Sequence, residues 1–210
     1  MDFFSNFSQI INQLFPSQKN PREAAFSTGT RVWRTIKEGL TITAKGSKEG
    51  KTQVRFLVAI AYDAGVVICH QVQGRMKGVD YAEIIRSGVF ESAISKTVHP
   101  TSRTVLQDNC PVQNSGAAKT AFSDSEISLF QIPPRSPDIN CIENFFAHVK
   151  AKLRKDALEK NITQETKQHF CERIIQTLEN WDKLKINKLI DSIPTRIEKL
   201  IEKQGDHIPY

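Results

Sequence analysis

Residues 136–155 read SPDINCIENFFAHVKAKLRK. Ser136-Pro137-Asp138 is turn chemistry, and Asn140 is a good residue to cap a helix. From there Ile142, Phe146, Val149 and Leu153 recur on one helical stripe. The stretch therefore predicts a loop feeding a long amphipathic helix, with Glu143 in its first turn. Upstream, residues 104–115 read TVLQDNCPVQNS. TVLQ is a short buried strand that ends at Asp108, where a carboxylate projects past the sheet edge. Asp108 and Glu143 are separated by 34 residues. Two carboxylates brought together from a strand end and a helix start suit a divalent-metal site for phosphodiester chemistry, which normally wants a third. Each acid also has a purely structural reading. Asp-Asn after a strand commonly starts a turn, and Glu143 three residues after Asn140 completes a capping box.

Working outward, the segment TQVRFLVAIAY is rich in β-branched and aromatic residues, with Val54, Phe56, Val58 and Ile60 on one face. Asp63-Ala64-Gly65 makes a turn, and VVICHQV returns as the paired strand of a hairpin. A helix follows, opened by Asp80 with Glu83 as its capping partner and carrying Tyr81, Ile84, Ile85, Phe90 and Ile94. After TVLQ, GAAKTAF is a helix capped by Asn114 or Ser115, and ISLFQI is another strand. The order hairpin, helix, strand, helix, strand, helix specifies a mixed α/β sheet flanked by helices. Beyond it, Phe170, Ile174, Ile175, Leu178 and Trp181 form one helical stripe. Pro194 starts a last helix with Ile197, Leu200 and Ile201, closed by Gly205.

The chain of 210 residues is long enough for one large domain with a sizeable core. Its first 26 residues differ in character from the rest: Phe3, Phe4, Phe7, Ile10, Ile11, Leu14 and Phe15 recur at helical spacing ahead of a Pro- and Ser-rich loop. That pattern is an amphipathic helix, not a secretory signal, because its apolar residues are never continuous. No stretch approaches the roughly 20 apolar residues that cross a bilayer. A net charge of +6 suits a polyanionic partner. Cys69, Cys110, Cys141 and Cys171 are widely spaced with no C-x-x-C pair, which argues against a zinc ribbon or disulfide framework and makes a reducing compartment the default.

The phrases QDNCPVQNS and QIPPRSPDINCIENFFAHVKAKLR together resemble the catalytic domain of Tc/mariner-superfamily transposases. Asp108 and Glu143 fall on the family's second and third acidic positions; Ser136-Pro137-Asp138, Asn140 and Ile142-Glu143-Asn144 match around them. Cys141 stands where the family usually has proline, which removes rigidity at the first helical position and no chemistry. Similarity continues from Arg31-Val32-Trp33-Arg34 to the closing phrase SIPTRIEKLIEKQGDHIPY. The resemblance implies an RNase H-like fold: an atypical helix and loop over 1–26, a catalytic core over 27–160, and a helical C-terminal extension over 161–210. It also implies DNA cleavage and strand transfer by two Mg²⁺ or Mn²⁺ ions on carboxylates, a nuclear protein and a possible homodimer, with no membrane and no small-molecule cofactor. His70, His99, His148 and His169 have no part in such a site, which is built on hard oxygen donors.

Two departures qualify that implication. The family's first carboxylate lies on a strand shortly before R-V-W-R, and counting back from Trp33 without gaps lands on Ser17 in the phrase Phe15-Pro16-Ser17-Gln18. A hydroxyl does not balance two divalent cations as a carboxylate does. The chain also leaves no room for the helix-turn-helix region that reads transposon ends in the family, so the expected DNA contact is to phosphates. Arg135, Lys150, Lys152, Arg154 and Lys155 are its candidates, against a structural reading of a solvated basic face balanced by Asp156 and Glu159. Two functions follow: a transposase-derived domain for metal-dependent DNA chemistry, impaired or inactive as this chain, or a non-catalytic protein that binds nucleic acid or another protein through the retained fold.

Overall fold

The computed structural model describes residues 54–108, 110–132, 136–162, 165–206 and 208. The N-terminal amphipathic stretch, Ser17 and Arg135 lie outside the described residues. The chain order is β1 (Arg55–Ala61), β2 (Gly65–Val72), α1 (Gly78–Arg86), α2 (Val89–Ser95), β3 (Thr104–Gln107), α3 (Gly116–Asp124), β4 (Ser128–Gln131), α4 (Cys141–Glu159), α5 (Lys167–Glu179) and α6 (Lys183–Glu202), with short 3₁₀ turns at Pro100–Ser102 and Pro137–Ile139.

β1 and β2 pair antiparallel with Phe56 opposite Gln71 and Val58 opposite Cys69. At the turn Asp63 takes a left-handed backbone (φ 55°), which aspartate tolerates better than most residues. The Asp63 N–H donates to Asn187 Oδ1 at 2.9 Å, and Asn187 Nδ2 donates back to Asp63 Oδ1 at 2.5 Å, pinning the turn to α6. The period of two along β1 sends its two rows of side chains to different cores. Val54, Phe56, Val58 and Ile60 pack with Phe145, Val149, Ile174 and Ile186 of α4, α5 and α6. Leu57 and Ala59 pack with the cluster of α1, α2 and α3. The hairpin is therefore covered on both sides.

β3 and β4 run parallel, with Val105 opposite Leu129 and Leu106 opposite Phe130. Parallel neighbours need a crossover, which α3 supplies. The same alternation applies: Val105 and Leu129 face Tyr81, Ile85, Phe90 and Phe122, whereas Leu106 and Phe130 face Ile132, Ile139, Ile197 and Leu200. Tyr81, Phe90 and Phe122 meet edge to face, with ring centroids 5.1–6.1 Å apart. Among the described residues no backbone ladder joins the two strand pairs, so the expected mixed sheet takes the form of two small sheets between helices.

Four local readings are corrected. The helix expected from Asp80 through Ile94 is two helices, broken where Gly88 adopts φ 82°. Its first turn starts earlier than Asp80. Lys77 is the cap, and its N–H donates to Asp80 Oδ2 at 2.7 Å, so Asp80 is the third helical residue. On α4 the buried stripe is Cys141, Phe145, Val149 and Leu153, with Ile142 and Phe146 half-buried at its margin. Pro194 lies inside α6, whose true cap is Asp182 through a 2.9 Å bond from the Leu184 N–H. A proline breaks helices by removing a donor and crowding the preceding turn. Here the apolar stripe outweighs it: Ile186, Leu189 and Ile190 serve the hairpin core, while Ile193, Ile197 and Leu200 serve the β3–β4 core. One helix spans two cores, and ending it at Pro194 would strip one of them.

Candidate active site at the carboxyl edge of the parallel strands

Asp108 leaves β3 at its carboxyl end, exposed to solvent, and one of its oxygens accepts the Cys110 N–H at 3.2 Å. The turn role read from the sequence is thus realised, and it leaves the carboxylate at the surface. Beneath it the preceding side chain is locked. Gln107 is buried; its Oε1 accepts from the Tyr81 hydroxyl at 3.1 Å and its Nε2 donates to the Gln113 carbonyl at 3.4 Å. Gln131 Nε2 donates to Asn114 Oδ1 at 2.9 Å, tying the loop after Asp108 to β4. Burial, and then the negative charges of Asp108 and Cys110, push the Tyr81 hydroxyl well above the usual tyrosine range. Tyr81 is therefore a neutral donor for Gln107, held within electrostatic reach of Asp108.

Because β3 and β4 are parallel, both end on one edge. The Ile132 N–H extends the pairing to the Gln107 carbonyl at 3.0 Å. The chain then returns at Ile139, packed with Leu106, Phe130 and Ile132, and Glu143 follows four residues later. Glu143 is exposed in the first turn of α4, where the helix dipole favours a carboxylate. Its N–H donates to the Asn140 carbonyl at 3.1 Å. The Asn140 side chain makes no cap bond, so the expected capping box is not formed. The Glu143 carboxylate has no hydrogen-bond or ion-pair partner among the described residues.

The turn that launches α4 is anchored by buried polar groups that the sequence reading passed over. Arg196 Nη1 donates to the Asp138 carbonyl at 3.0 Å and to Asn144 Oδ1 at 2.7 Å, and Arg196 Nε donates to Ser192 Oγ at 2.9 Å. Asp138 Oδ2 accepts the Ile208 N–H at 3.0 Å. An arginine set between Ile193 and Ile197 in an apolar stripe was the signal that could have found this anchor. Cys141, at the first helical position, is buried; burial pushes its thiol up, and nearby Arg196 partly offsets that.

Past Glu143, α4 carries Lys150, Lys152, Arg154 and Lys155, all exposed. Lys152 pairs with Asp156 at 2.5 Å and Lys155 with Glu159 at 3.6 Å. Lys150 and Arg154 make no ion pair among the described residues. The solvated-face reading thus describes half the cluster, and two cations remain for an external anion.

Asp108 and Glu143 offer the hard oxygen donors that Mg²⁺ and Mn²⁺ prefer. Among the described residues no group of three or more His, Cys, Asp or Glu could hold a metal ion. Two acids alone fall short of a complete site for two divalent ions. His70, His99, His148 and His169 are all exposed on separate elements.

Small strand pairs packed between helices, with acids at a strand end and a helix start, make a mixed α/β domain of RNase H-like fold. Within it the chain belongs to the DDE superfamily endonuclease family, whose model matches residues 23–164. It is homologous to the Tc/mariner transposases. It is 28% identical over 142 residues to the Tc3 transposase of Caenorhabditis elegans, covering 66% of this chain and 40% of that one. It is 26% identical over 132 residues to the Tcb2 transposase of Caenorhabditis briggsae, covering 58% and 45%. The chain therefore spans less than half the length of these relatives. The catalytic domain of the Mos1 mariner transposase superposes with a TM-score of 0.58 at 14% identity, over 75% of this chain and 82% of that one. A Mos1 paired-end complex with Mn superposes with 0.61 at 14% identity, over 90% and 52%. These matches carry the fold.

Proposed function

We propose that this chain is a transposase-derived domain that holds Mg²⁺ or Mn²⁺ through Asp108 and Glu143 and DNA phosphates through Lys150 and Arg154, with Lys152, Lys155 and Arg135 contributing. It acts in the nucleus, without cutting or joining DNA by itself. The reading is supported by two observations: Asp108 is exposed at the carboxyl end of β3, and exposed Glu143 opens the basic helix α4 four residues after Ile139, which packs with Leu106, Phe130 and Ile132. The homology to Tc/mariner transposases supports DNA as the polyanion. The paired-end assembly of Mos1 with Mn supports a metal-linked role. The ungapped count from Trp33 that lands on Ser17 supports the loss of turnover, because catalysis by two ions needs enough negative charge to bind both.

Incubating the chain with supercoiled plasmid and Mn²⁺ tests the loss of turnover. The expected result is DNA retention without nicking above background. Nicking that disappears in Asp108→Asn would show an active nuclease and overturn it.

A further inference from the structure

We infer that Arg196, acting with the segment around Ile208, is a positioning clamp that sets the orientation of Glu143; the inference rests on the reading of Glu143 as a metal ligand. Glu143 itself is held by nothing but the helix that carries it, since its carboxylate has no partner among the described residues. Its direction is therefore the direction of the first turn of α4, and that turn is fixed from α6. Arg196 is 8% exposed, and a single nitrogen of its guanidinium spans the Asp138 carbonyl before the helix and the Asn144 amide oxygen inside it. Asn144 is the immediate neighbour of Glu143. The second anchor is Asp138, 6% exposed, whose carboxylate accepts the Ile208 N–H.

The geometry explains why an arginine is needed. Its planar fork has donors in fixed directions, so Nε can stay on Ser192 while Nη1 reaches two acceptors 52 and 58 residues away in sequence. A methionine fills the same volume and holds neither acceptor. The Asn140 side chain makes no cap bond, and the bonds donated by Arg196 tie the launching turn to α6 through the Asp138 carbonyl and the Asn144 side chain. Groups that orient a metal ligand without touching the metal typically change affinity by about 10–100-fold when removed.

The test compares Arg196→Met and the milder Asn144→Ala with Ile94→Ala. The last removes a buried α2 side chain from the cluster of α1, α2 and α3, which contains no residue of α4. Two readouts are taken well below each melting temperature. One is Mn²⁺ affinity by electron paramagnetic resonance. The other is the rate at which iodoacetamide alkylates Cys141, followed by mass spectrometry, because this buried thiol opens the first turn of α4. We expect Arg196→Met to weaken Mn²⁺ by about tenfold or more and to speed Cys141 alkylation by a similar factor. Asn144→Ala should shift both in the same direction, and Ile94→Ala should change neither despite a fall in melting temperature. Unchanged Cys141 alkylation in both clamp variants, or equal changes in Ile94→Ala, overturns the clamp. If the unaltered chain binds no Mn²⁺, the metal reading fails, and the alkylation arm still decides whether Arg196 holds the turn.

Discussion

The Tyr81 hydroxyl donates to Gln107 Oε1 at 3.1 Å inside the core, one residue before Asp108. Gln107 in turn holds the loop that follows Asp108 through the Gln113 carbonyl. The exposed acid thus stands on a strand end clamped from α1 on one side and from its own loop on the other. Preorganisation of this kind decides whether a carboxylate offers its oxygens in one direction or many.

Tyr81→Phe removes the donor and leaves a buried amide oxygen unpaired. It should lower the unfolding free energy by about 1–3 kcal/mol, read by urea denaturation at neutral pH. The pH dependence follows from the raised Tyr81 value. Below pH about 10 both folded and unfolded tyrosine keep the proton, so the contribution is whole. Above it the unfolded chain ionises while folded Tyr81 does not, so stability falls with rising pH. The gap between wild type and Tyr81→Phe should therefore narrow above pH 10; a gap that widens there contradicts the assignment.

Phe145 is fully buried, edge-on to Trp181 with ring centroids 5.4 Å apart. Phe145→Ala should cost about 3–5 kcal/mol by denaturant titration. Phe146→Ala, at a half-buried position, should cost distinctly less. Equal losses would place both residues on the stripe margin and contradict the observed helix phase.

On α4, Lys150 and Arg154 are without ion pairs among the described residues, whereas Lys152 and Lys155 are occupied by Asp156 and Glu159. Each phosphate contact contributes about −0.9 to the slope of log affinity against log salt on duplex DNA. Replacing Lys150 and Arg154 together with alanine should reduce that slope by close to two contacts. The paired lysines should change it less, because their amino groups already serve acidic neighbours. Fluorescence anisotropy across a salt series reads both.

Much of this architecture was legible because local and global signals agree. TVLQ is the observed β3, residue for residue, and the apolar face Val54, Phe56, Val58 and Ile60 is the one that meets α4, α5 and α6. Ser115, one of the two expected caps, accepts the Ala118 N–H at 3.3 Å and starts α3. The misses have tertiary causes. Adjacent phenylalanines at 145 and 146 make the stripe readable in two phases, and only the surrounding helices choose. Pro194 signals a helix start until the demand of two cores for one rod is seen. Glu143 looks like half of a capping box, but the Asn140 side chain makes no cap bond, and the turn is tied instead to α6 by donors of Arg196, distant in sequence. The metal and DNA roles proposed for the site residues rest on their surrounding phrases, since exposed acids and lysines carry no period of their own.

The central claim is that Asp108 and Glu143 serve one metal ion together. A Mn²⁺ titration by calorimetry of the unaltered chain, Asp108→Asn, Glu143→Gln and the double variant tests it most directly. If one ion bridges both acids, either single substitution should weaken binding sharply and the double variant should lose little more, because residues acting as a unit are not additive. Affinity untouched by either substitution, or losses that simply add, would contradict it.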